Sequence, residues 1–303
     1  MTITALRTPD ERFANLPDFP YAPSYVDDLG GFEGLRAAFV DEGPRDAAHT
    51  FLCLHGEPTW SYLYRKMMPV FLRSGARVVA PDFFGFGRSD KPANDADYTF
   101  HFHRNYLLRL IERLELRNLT LVVQDWGGLL GLTLPVDPGM RPRIDRLIVM
   151  NTGIAVGEPV GEGFDRWRQY MAKTPDLGVG RMMKRGTPVL SDAEAAAYDA
   201  PFPDQRFKAG VRAFPQLVMT EPGMPGIAES KAARTFWSSE WSGQSFMAHG
   251  AADLVFRTEQ MGALRATIRG CPPPLVIAEA GHFVQEWGAE VAEAALPAFR
   301  QVQ

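Results

Sequence analysis

Short apolar runs alternate with amphipathic segments along the first half of the chain. From about Thr99 to Leu116, leucine and isoleucine recur at the spacing i, i+3, i+4 and i+7, which is typical of one face of an α-helix. A second helical pattern covers Tyr62–Ser74. The apolar runs between such segments predict strands at Leu35–Val40, Thr50–Leu54, Arg77–Ala80, Leu119–Val123 and Ile144–Met150. This alternation predicts βα units and a doubly wound, mostly parallel sheet.

The pattern changes after Asn151. From about Gly153 to Gly226 no strand pattern stands out, and the segment is rich in glycine, proline, methionine and aromatic residues. Short helices are indicated there, one of them by the capping-box sequence Ser191–Glu194. Strand patterns return at Ser245–Ala248 and Pro274–Ala278, and the chain from about Phe283 has a helical pattern. We therefore expect one α/β domain, residues 1–152 and 227–303, interrupted by a helical cap at 153–226.

Composition excludes several classes of protein. The 303 residues are 46% hydrophobic and 22% charged, which is typical of a globular chain. The net charge of −4 argues against a nucleic-acid partner. The sequence contains neither a signal-peptide pattern nor an apolar run long enough for a membrane span. Its two cysteines, Cys53 and Cys271, indicate a reducing compartment, so we expect a cytoplasmic protein, and we expect it to be a monomer.

The strongest local signal follows the strand predicted at Leu119–Val123. There, Gln124–Gly128 leads directly into an apolar helix, and a strand, a sharp turn and a helix are the setting of a nucleophile elbow. Asp125 stands at the nucleophile position. A carboxylate is ionised at neutral pH, and it can attack an electrophilic carbon to form an ester. The alternative is that Asp125 is only a helix N-cap.

Two further polar groups follow later strands. Asp253 comes after the strand at Ser245–Ala248, and His282 comes after the strand at Pro274–Ala278. Ligands of open α/β sheets bind at the carboxyl ends of the strands, where these residues are expected to meet Asp125. The chain order nucleophile, acid, histidine is that of the α/β-hydrolase triad. His55–Pro58, after an earlier strand, resembles an oxyanion-hole loop.

Cofactor and metal motifs are absent from the sequence. Gly85-Phe86-Gly87 is a weak dinucleotide-loop candidate, because Asp90 stands where the third glycine is required. No histidine pair has metal-ligand spacing. We therefore expect no cofactor and no metal.

Together these motifs resemble the haloalkane dehalogenases, and most closely the branch typified by the enzyme that hydrolyses 1,2-dichloroethane. The matching segments are His55–Trp60, Asp82–Gly87, Val123–Gly128 and Ala280–Glu286. The resemblance implies an α/β-hydrolase fold with a mostly parallel central sheet, flanking helices and an inserted helical cap. It also implies hydrolysis of carbon–halogen bonds, with a haloalkane, a halide ion and water as the partners. The Leu129 position departs from the family, which has an aromatic residue there.

The resemblance also implies roles for individual residues. Asp125 is the nucleophile, His282 the base and Asp253 its acid partner, accompanied by Asn151. The indole N–H groups of Trp126 and Trp167 bind the halide, and the backbone N–H groups of Glu57 and Trp126 form the oxyanion hole. The residues expected to line the substrate pocket are Leu129, Phe164, Phe214, Val218 and Leu254.

Three alternatives stay open at the level of sequence. An epoxide hydrolase would use the same aspartate with tyrosine donors from the cap, for which Tyr170 and Tyr198 are candidates. A fluoroacetate-type dehalogenase is disfavoured, since an arginine usually follows its nucleophile and Trp126 does here. A non-catalytic binding protein of this fold would be expected to have a damaged triad.

Overall fold

The computed structural model describes residues 3–299, and its centre is a mixed β-sheet. The strands are β1 (Ala5–Leu6), β2 (Ser24–Val26), β3 (Ala37–Glu42), β4 (Thr50–Leu54), β5 (Arg77–Pro81), β6 (Lys91–Pro92), β7 (Leu119–Gln124), β8 (Ile144–Met150), β9 (Gln244–Gly250) and β10 (Leu275–Ile277). Eight of them form one sheet in the order β10-β9-β8-β7-β4-β5-β3-β2. Neighbours from β10 to β5 are parallel, whereas β3 is antiparallel to both β5 and β2. The predicted doubly wound, mostly parallel sheet is confirmed.

Helices cover both faces of the sheet and the edge at which the parallel strands end. They are α1 (Met68–Arg73), α2 (Phe100–Arg113), α3 (Asp125–Gly131), α4 (Glu162–Lys173), α5 (Val179–Gly186), α6 (Asp192–Asp199), α7 (Ala209–Leu217), α8 (Ile227–Thr235), α9 (Thr258–Thr267) and α10 (Gly288–Ala298). Every residue of the central strand β7 is buried. A strand buried on both faces is a nearly continuous apolar run, which is why the sequence indicated it clearly.

Most predicted elements agree with the structure within two residues, but the helix predicted at Tyr62–Ser74 is wrong over its first half. The chain forms a 3₁₀ turn at Ser61–Tyr64, and α1 begins only at Met68. Pro69 stands in the first turn of α1. Because proline has no backbone N–H to donate, a continuous α-helix through this point would lose a hydrogen bond.

The stretch between β8 and β9 contains α4 to α8 and, within the described residues, no strand. The predicted boundaries of the cap, residues 153 and 226, fall close to the end of β8 and the start of α8. The predicted capping box is confirmed, because Ser191 accepts from the N–H of Glu194 and the Glu194 side chain accepts from the N–H of Ser191. The division into a hydrolase domain and a cap domain stays a prediction.

A buried ionic cluster joins α6 to the sheet-bearing part of the chain. The Arg65 guanidinium donates to both carboxylate oxygens of Glu286, at 2.8 and 2.6 Å, and to Glu194 of α6 at 2.6 Å. The side chains of Arg65 and Glu286 are fully buried. Tyr198, also of α6, donates its hydroxyl to Glu286. Since Glu286 lies four residues after His282, this cluster connects α6 to the loop that carries the histidine.

None of the helices within residues 3–299 combines the length and the hydropathy needed to cross a membrane.

Candidate active site

Asp125 stands at a sharp turn between β7 and α3. Its φ of +48° lies in the left-handed region, which non-glycine residues adopt rarely and often at functional sites. Two hydrogen bonds fix the turn to the neighbouring strand: the Asp125 N–H donates to the Asn151 carbonyl at 3.0 Å, and Thr152 Oγ1 donates to the Asp125 carbonyl at 2.7 Å. The geometry is therefore that of the predicted elbow, and an ordinary N-cap does not account for it.

Glycines allow the backbone to crowd around this carboxylate. A Cβ on Gly127 would lie 1.9 Å from the Leu54 carbonyl oxygen, and a Cβ on Gly56 would lie 2.6 Å from Asp125 Oδ1. Only glycine fits at such distances. As a result, the N–H of Glu57 comes within 2.9 Å of Asp125 Oδ1 and donates to it.

Asp125, His282 and Asp253 meet at the carboxyl edge of the sheet. His282 Nε2 lies 3.4 Å from Asp125 Oδ2, and His282 Nδ1 lies 2.8 Å from Asp253 Oδ2. The Asn151 amide donates to the same Asp253 oxygen at 2.8 Å, and the Val255 N–H donates to Oδ1 at 2.7 Å. The structure thus brings together all three residues of the predicted triad, together with Asn151.

Asp253 and His282 each favour the charged form of the other. Burial works to raise the pKa of Asp253, but the positive charge on His282 and the hydrogen bonds from His282, Val255 and Asn151 outweigh it, and the pKa lies below its usual value. Burial works to lower the pKa of His282, but the charge on Asp253 and hydrogen bonds to Asp125 and Asp253 raise it to about 10. Part of the raised pKa of His282 depends on Asp125 being a free carboxylate.

The Glu57 side chain is a buried carboxyl group beside the nucleophile. Only 6% of Glu57 is exposed, and within residues 3–299 its Oε1 has no hydrogen-bond partner. Burial raises the pKa of Glu57 well above its usual value, the charge on Asp125 raises it further, and His282 works in the opposite direction. Burial and the neighbouring Asp125 charge therefore favour the protonated form of Glu57, because both raise its pKa.

A cavity of about 1230 Å³ lies above these residues. Its lining includes Asp125, His282 and Glu57 at the floor, and Trp126 and Trp167 on the walls. Its surface is mainly apolar, as is typical of small-molecule sites.

The six tryptophans differ in what their indole N–H groups contact. Trp60 donates to the Ala197 carbonyl, Trp237 to the Leu132 carbonyl and Trp241 to Ser245 Oγ. Trp126, Trp167 and Trp287 have no acceptor for the indole N–H among residues 3–299, but of these three only Trp126 and Trp167 line the cavity. Since a buried indole N–H usually finds a partner, these two donors are available to a ligand.

Four of the five residues expected in the substrate pocket line the cavity, namely Leu129, Phe164, Val218 and Leu254. Leu254 lies at the mouth, where 74% of it is exposed. The expectation that Phe214 lines the pocket is wrong. This residue is fully buried, and its ring packs edge-on against Trp126 with centroids 4.8 Å apart, so it supports the indole from behind instead of contacting the cavity.

Of the two tyrosines proposed to donate a proton to an epoxide oxygen, one lines the cavity and the other does not. Tyr170 lines the cavity and is 46% exposed. Tyr198 is buried, outside the cavity lining, and its hydroxyl is bound to Glu286. At most one of the candidate donors can therefore reach a ligand.

Sequence reasoning missed two supports of the site. Gln124 Nε2 donates to the His282 carbonyl at 3.1 Å and fixes the histidine loop. The partnership of Arg65 and Glu286 was also missed, because the two residues are far apart in sequence and an isolated arginine gives no signal. Within the described part of the chain, no group of three or more metal-ligating side chains is assembled.

Comparison with known proteins agrees with this geometry. Residues 49–289 match the family model for the α/β hydrolase fold. A haloalkane dehalogenase of Psychrobacter cryohalolentis is 44% identical over 93% of each chain, and one of Mycobacterium marinum is 41% identical over 95% of this chain and 97% of the relative. The solved structure of the haloalkane dehalogenase DpaA from Paraglaciecola agarilytica covers 99% of this chain and 100% of its own, with 54% identity and a TM-score of 0.96.

The sheet order, the elbow and the Asp–His–Asp arrangement define an α/β-hydrolase whose nucleophile position holds a carboxylate. The chain belongs to the haloalkane dehalogenases, hydrolases of this superfamily. The fold and family expected from the sequence motifs are confirmed. The expectation of a monomer does not agree with the relative DpaA, which is described as tetrameric.

Proposed function

We propose that this chain hydrolyses the carbon–halogen bond of haloalkanes through an alkyl ester on Asp125. The observation that carries the proposal is the position of the Asp125 carboxylate at the floor of an apolar cavity, between the Glu57 N–H and His282 Nε2. A serine at this elbow would need a base to become nucleophilic, but an ionised carboxylate does not.

In the first step, Asp125 Oδ2 attacks the halogen-bearing carbon. Oδ1 is held by the Glu57 N–H, whereas Oδ2 accepts no backbone hydrogen bond and lies 3.4 Å from His282 Nε2, so Oδ2 is the attacking oxygen. A C–O bond forms, the carbon–halogen bond breaks, and the bonding electron pair leaves with the halide. The indole N–H groups of Trp126 and Trp167 donate to the halide as its charge develops, which stabilises the transition state more than the uncharged substrate.

In the second step, His282 removes a proton from a water molecule that attacks the ester carbon Cγ of Asp125. Once Asp125 is esterified it carries no charge, so it no longer raises the pKa of His282, and this favours the neutral imidazole that acts as the base. The N–H groups of Glu57 and Trp126 stabilise the oxyanion on Oδ1. Asp253 orients His282 and stabilises its cation, as in other triads. Collapse releases the alcohol, a proton and the Asp125 carboxylate.

An epoxide hydrolase with the same nucleophile is the alternative. It would need acidic O–H donors above Asp125, and Tyr170 is the only one of the two candidate tyrosines on the cavity wall. Two unpartnered indole N–H groups suit an anion better than an epoxide oxygen that must be protonated. The family relationship also favours the haloalkane reaction.

We also propose that residues 153–226 act as a cap that closes the cavity and supplies Trp167 to it. Support comes from the position of α4, which contributes Phe164 and Trp167 to the cavity wall. Both cysteines are free, which supports the cytoplasmic location expected from the sequence.

The test uses two readouts. Release of halide from 1-bromobutane and 1,2-dibromoethane reports the overall reaction, and intact-protein mass spectrometry of His282→Phe reports the intermediate. We expect the wild type to release halide and the variant to accumulate an alkyl adduct. His101→Phe, which changes an exposed histidine on α2, is the control and should turn over normally.

Absence of halide release by the wild type, accompanied by turnover of styrene oxide, would establish the epoxide alternative. Absence of an adduct in a folded His282→Phe protein that has been incubated with a good substrate would contradict the two-step scheme.

A further inference from the structure

Four arginines, Arg181, Arg185, Arg234 and Arg257, lie along the solvent-facing part of the cavity lining. We call them the arginine rim. They come from α5, from α8 and from the residue before α9, and all four are exposed. The end of α5 lies close to the loop of His282: a Cβ placed on Gly281 would lie 3.1 Å from the carbonyl oxygen of Gly186, the last residue of α5. The rim thus belongs to the same cavity as the triad.

The rim arginines differ from most other arginines of the protein. Elsewhere, arginines are paired, as Arg141 is with Glu240 and Arg212 with Asp95, or they contact carbonyl oxygens or aromatic rings. Among the arginines in residues 3–299, only the four of the rim and Arg117 make no salt bridge, side-chain hydrogen bond or ring contact. Four of the five guanidinium groups that lack a protein partner are therefore gathered at one cavity.

Charge is separated by sign along this cavity. Three acidic groups of the lining lie at the floor together with His282, namely the buried Glu57 and Asp253 and the half-buried Asp125. Glu158 is the exposed carboxylate of the lining. Arg166 also lines the wall, but it has Glu162 as a neighbour at 3.9 Å. A positive rim on a chain with a net charge of −4 is a local feature that would attract anions to the entrance.

The cavity also exceeds the needs of a two-carbon substrate. Its volume of about 1230 Å³ lies above the range of roughly 300–1,000 Å³ that is common for ligand pockets. The wall between floor and rim includes apolar residues such as Ile154, Leu177 and Val218. An occupant that matches these surfaces has a halogen at one end, an apolar chain in the middle and an anionic group at the other end.

We propose that the preferred substrates of this enzyme are haloalkanes with a terminal carboxylate, whose halogen end reaches Asp125 while the carboxylate binds at the arginine rim. The inference rests on the proposed function and adds a substrate class to it. The chemistry is unchanged: the products are a hydroxyalkanoate, halide and a proton. Guanidinium groups suit this role because they bind carboxylates with two parallel hydrogen bonds.

The experiment compares ω-bromoalkanoates with 1-bromoalkanes of the same carbon number, for example 6-bromohexanoate with 1-bromohexane. We expect kcat/KM to be about tenfold higher for the carboxylate at the best chain length, through a lower KM. That advantage should shrink as ionic strength rises from ~0.02 M to ~0.5 M, since salt screens exposed charges. A ω-bromoalkyl trimethylammonium ion of similar length should be the poorest substrate.

Substitution of the rim separates binding from chemistry. In the combined variant Arg181→Gln, Arg185→Gln, Arg234→Gln and Arg257→Gln, KM for 6-bromohexanoate should rise about tenfold while kcat stays within about twofold. Turnover of 1-bromohexane should not change. The matched control is Arg117→Gln, which removes an exposed and similarly unpartnered arginine that is not part of the cavity lining.

The outcomes are distinguishable. If 1-bromohexane is hydrolysed but the carboxylate has no advantage, or if the rim variant slows both substrates equally, the inference is overturned; the second result would assign the rim to halide escape or to cap structure. If neither bromide is hydrolysed, the proposed function itself fails.

Discussion

The two indoles proposed to hold the halide come from opposite halves of the site. Trp126 follows the nucleophile on α3, is 2% exposed and packs against Phe214. Trp167 lies on α4, is only partly buried, and has the exposed Tyr170 as its aromatic neighbour, with ring centroids 6.0 Å apart. Trp126 is thus placed by the main chain at a strand end and packed from behind by a buried ring, whereas Trp167 lies on a helix of the 153–226 stretch and is more exposed.

The difference between the two indoles indicates that the groups around the nucleophile must be held more rigidly than those on the cap side. Displacement at carbon requires the nucleophile, the oxyanion hole and the base in one geometry, and the backbone hydrogen bonds of Asp125 and Asp253 provide it. The stretch of residues 153–226 is attached to the rest of the chain partly through α6, by the buried Arg65 cluster and by the bond of Trp60 to Ala197. It is also attached through α7, where Arg212 pairs with Asp95 at 2.6 Å. Helix α4 bonds within the same stretch, as in the hydrogen bond from Arg168 to Thr220 at 3.0 Å.

The largest effect is expected from the attachment of the cap. Arg65→Met leaves the buried Glu286 carboxylate without its main partner, so we expect the free energy of unfolding to fall by about 3–5 kcal/mol. Urea denaturation measures this change in the free energy of unfolding. Arg109→Met breaks only the exposed pair with Glu112 and should change stability by less than about 1 kcal/mol.

A second variant checks the cause of that loss. Arg65→Met combined with Glu286→Leu replaces both buried charges by apolar groups, and it should recover a large part of the lost stability. If the double variant is no more stable than Arg65→Met, the buried unpaired carboxylate is not the reason for the loss.

A smaller effect is expected on catalysis, and it should differ between the two proposed halide donors. Trp126→Phe removes a donor that is held rigidly beside the nucleophile, and we expect kcat/KM for 1-bromobutane to fall about 100-fold. Trp167→Phe should cause a loss of about tenfold, because a partly exposed donor can be replaced in part by water. Trp287→Phe, outside the cavity lining, is the control. A larger loss for Trp167 than for Trp126 would reverse the comparison between floor and cap.

The last prediction concerns pH and tests the floor alone, and within one pH unit its effect does not exceed the loss expected for Trp167→Phe. Protonation of His282 blocks the second step but not the first, so acidification below the pKa of His282 in the ester should slow steady-state turnover by up to about tenfold per pH unit. The initial burst of halide should keep its amplitude over the same range, because the first step needs no proton transfer to His282. Rapid-quench halide release measures both quantities. A burst that vanishes together with turnover would place the histidine in the first step.

The sequence predicted the floor of the site better than the cap. Asp125, Asp253 and His282 follow strands whose apolar runs are unmistakable, and parallel strands end at one edge, so their meeting could be inferred before any coordinates. Phe214 was misplaced because it belongs to a short helix of the cap stretch, whose periodicity indicates a buried face but not what that face contacts. The same limitation applies to Arg65 and Glu286, whose pairing depends on how distant segments pack.

The sequence by itself determined the order of the strands and helices, the elbow and the identity of the nucleophile, because these depend on local periodicity, on glycines and on the chemistry of one side chain. Only the tertiary structure decided which indoles lack a protein acceptor, which carboxyl group is buried with a raised pKa, and which arginines line the cavity without a protein partner. Those properties depend on neighbours brought together from distant parts of the chain, since burial and charge pairing are set by packing.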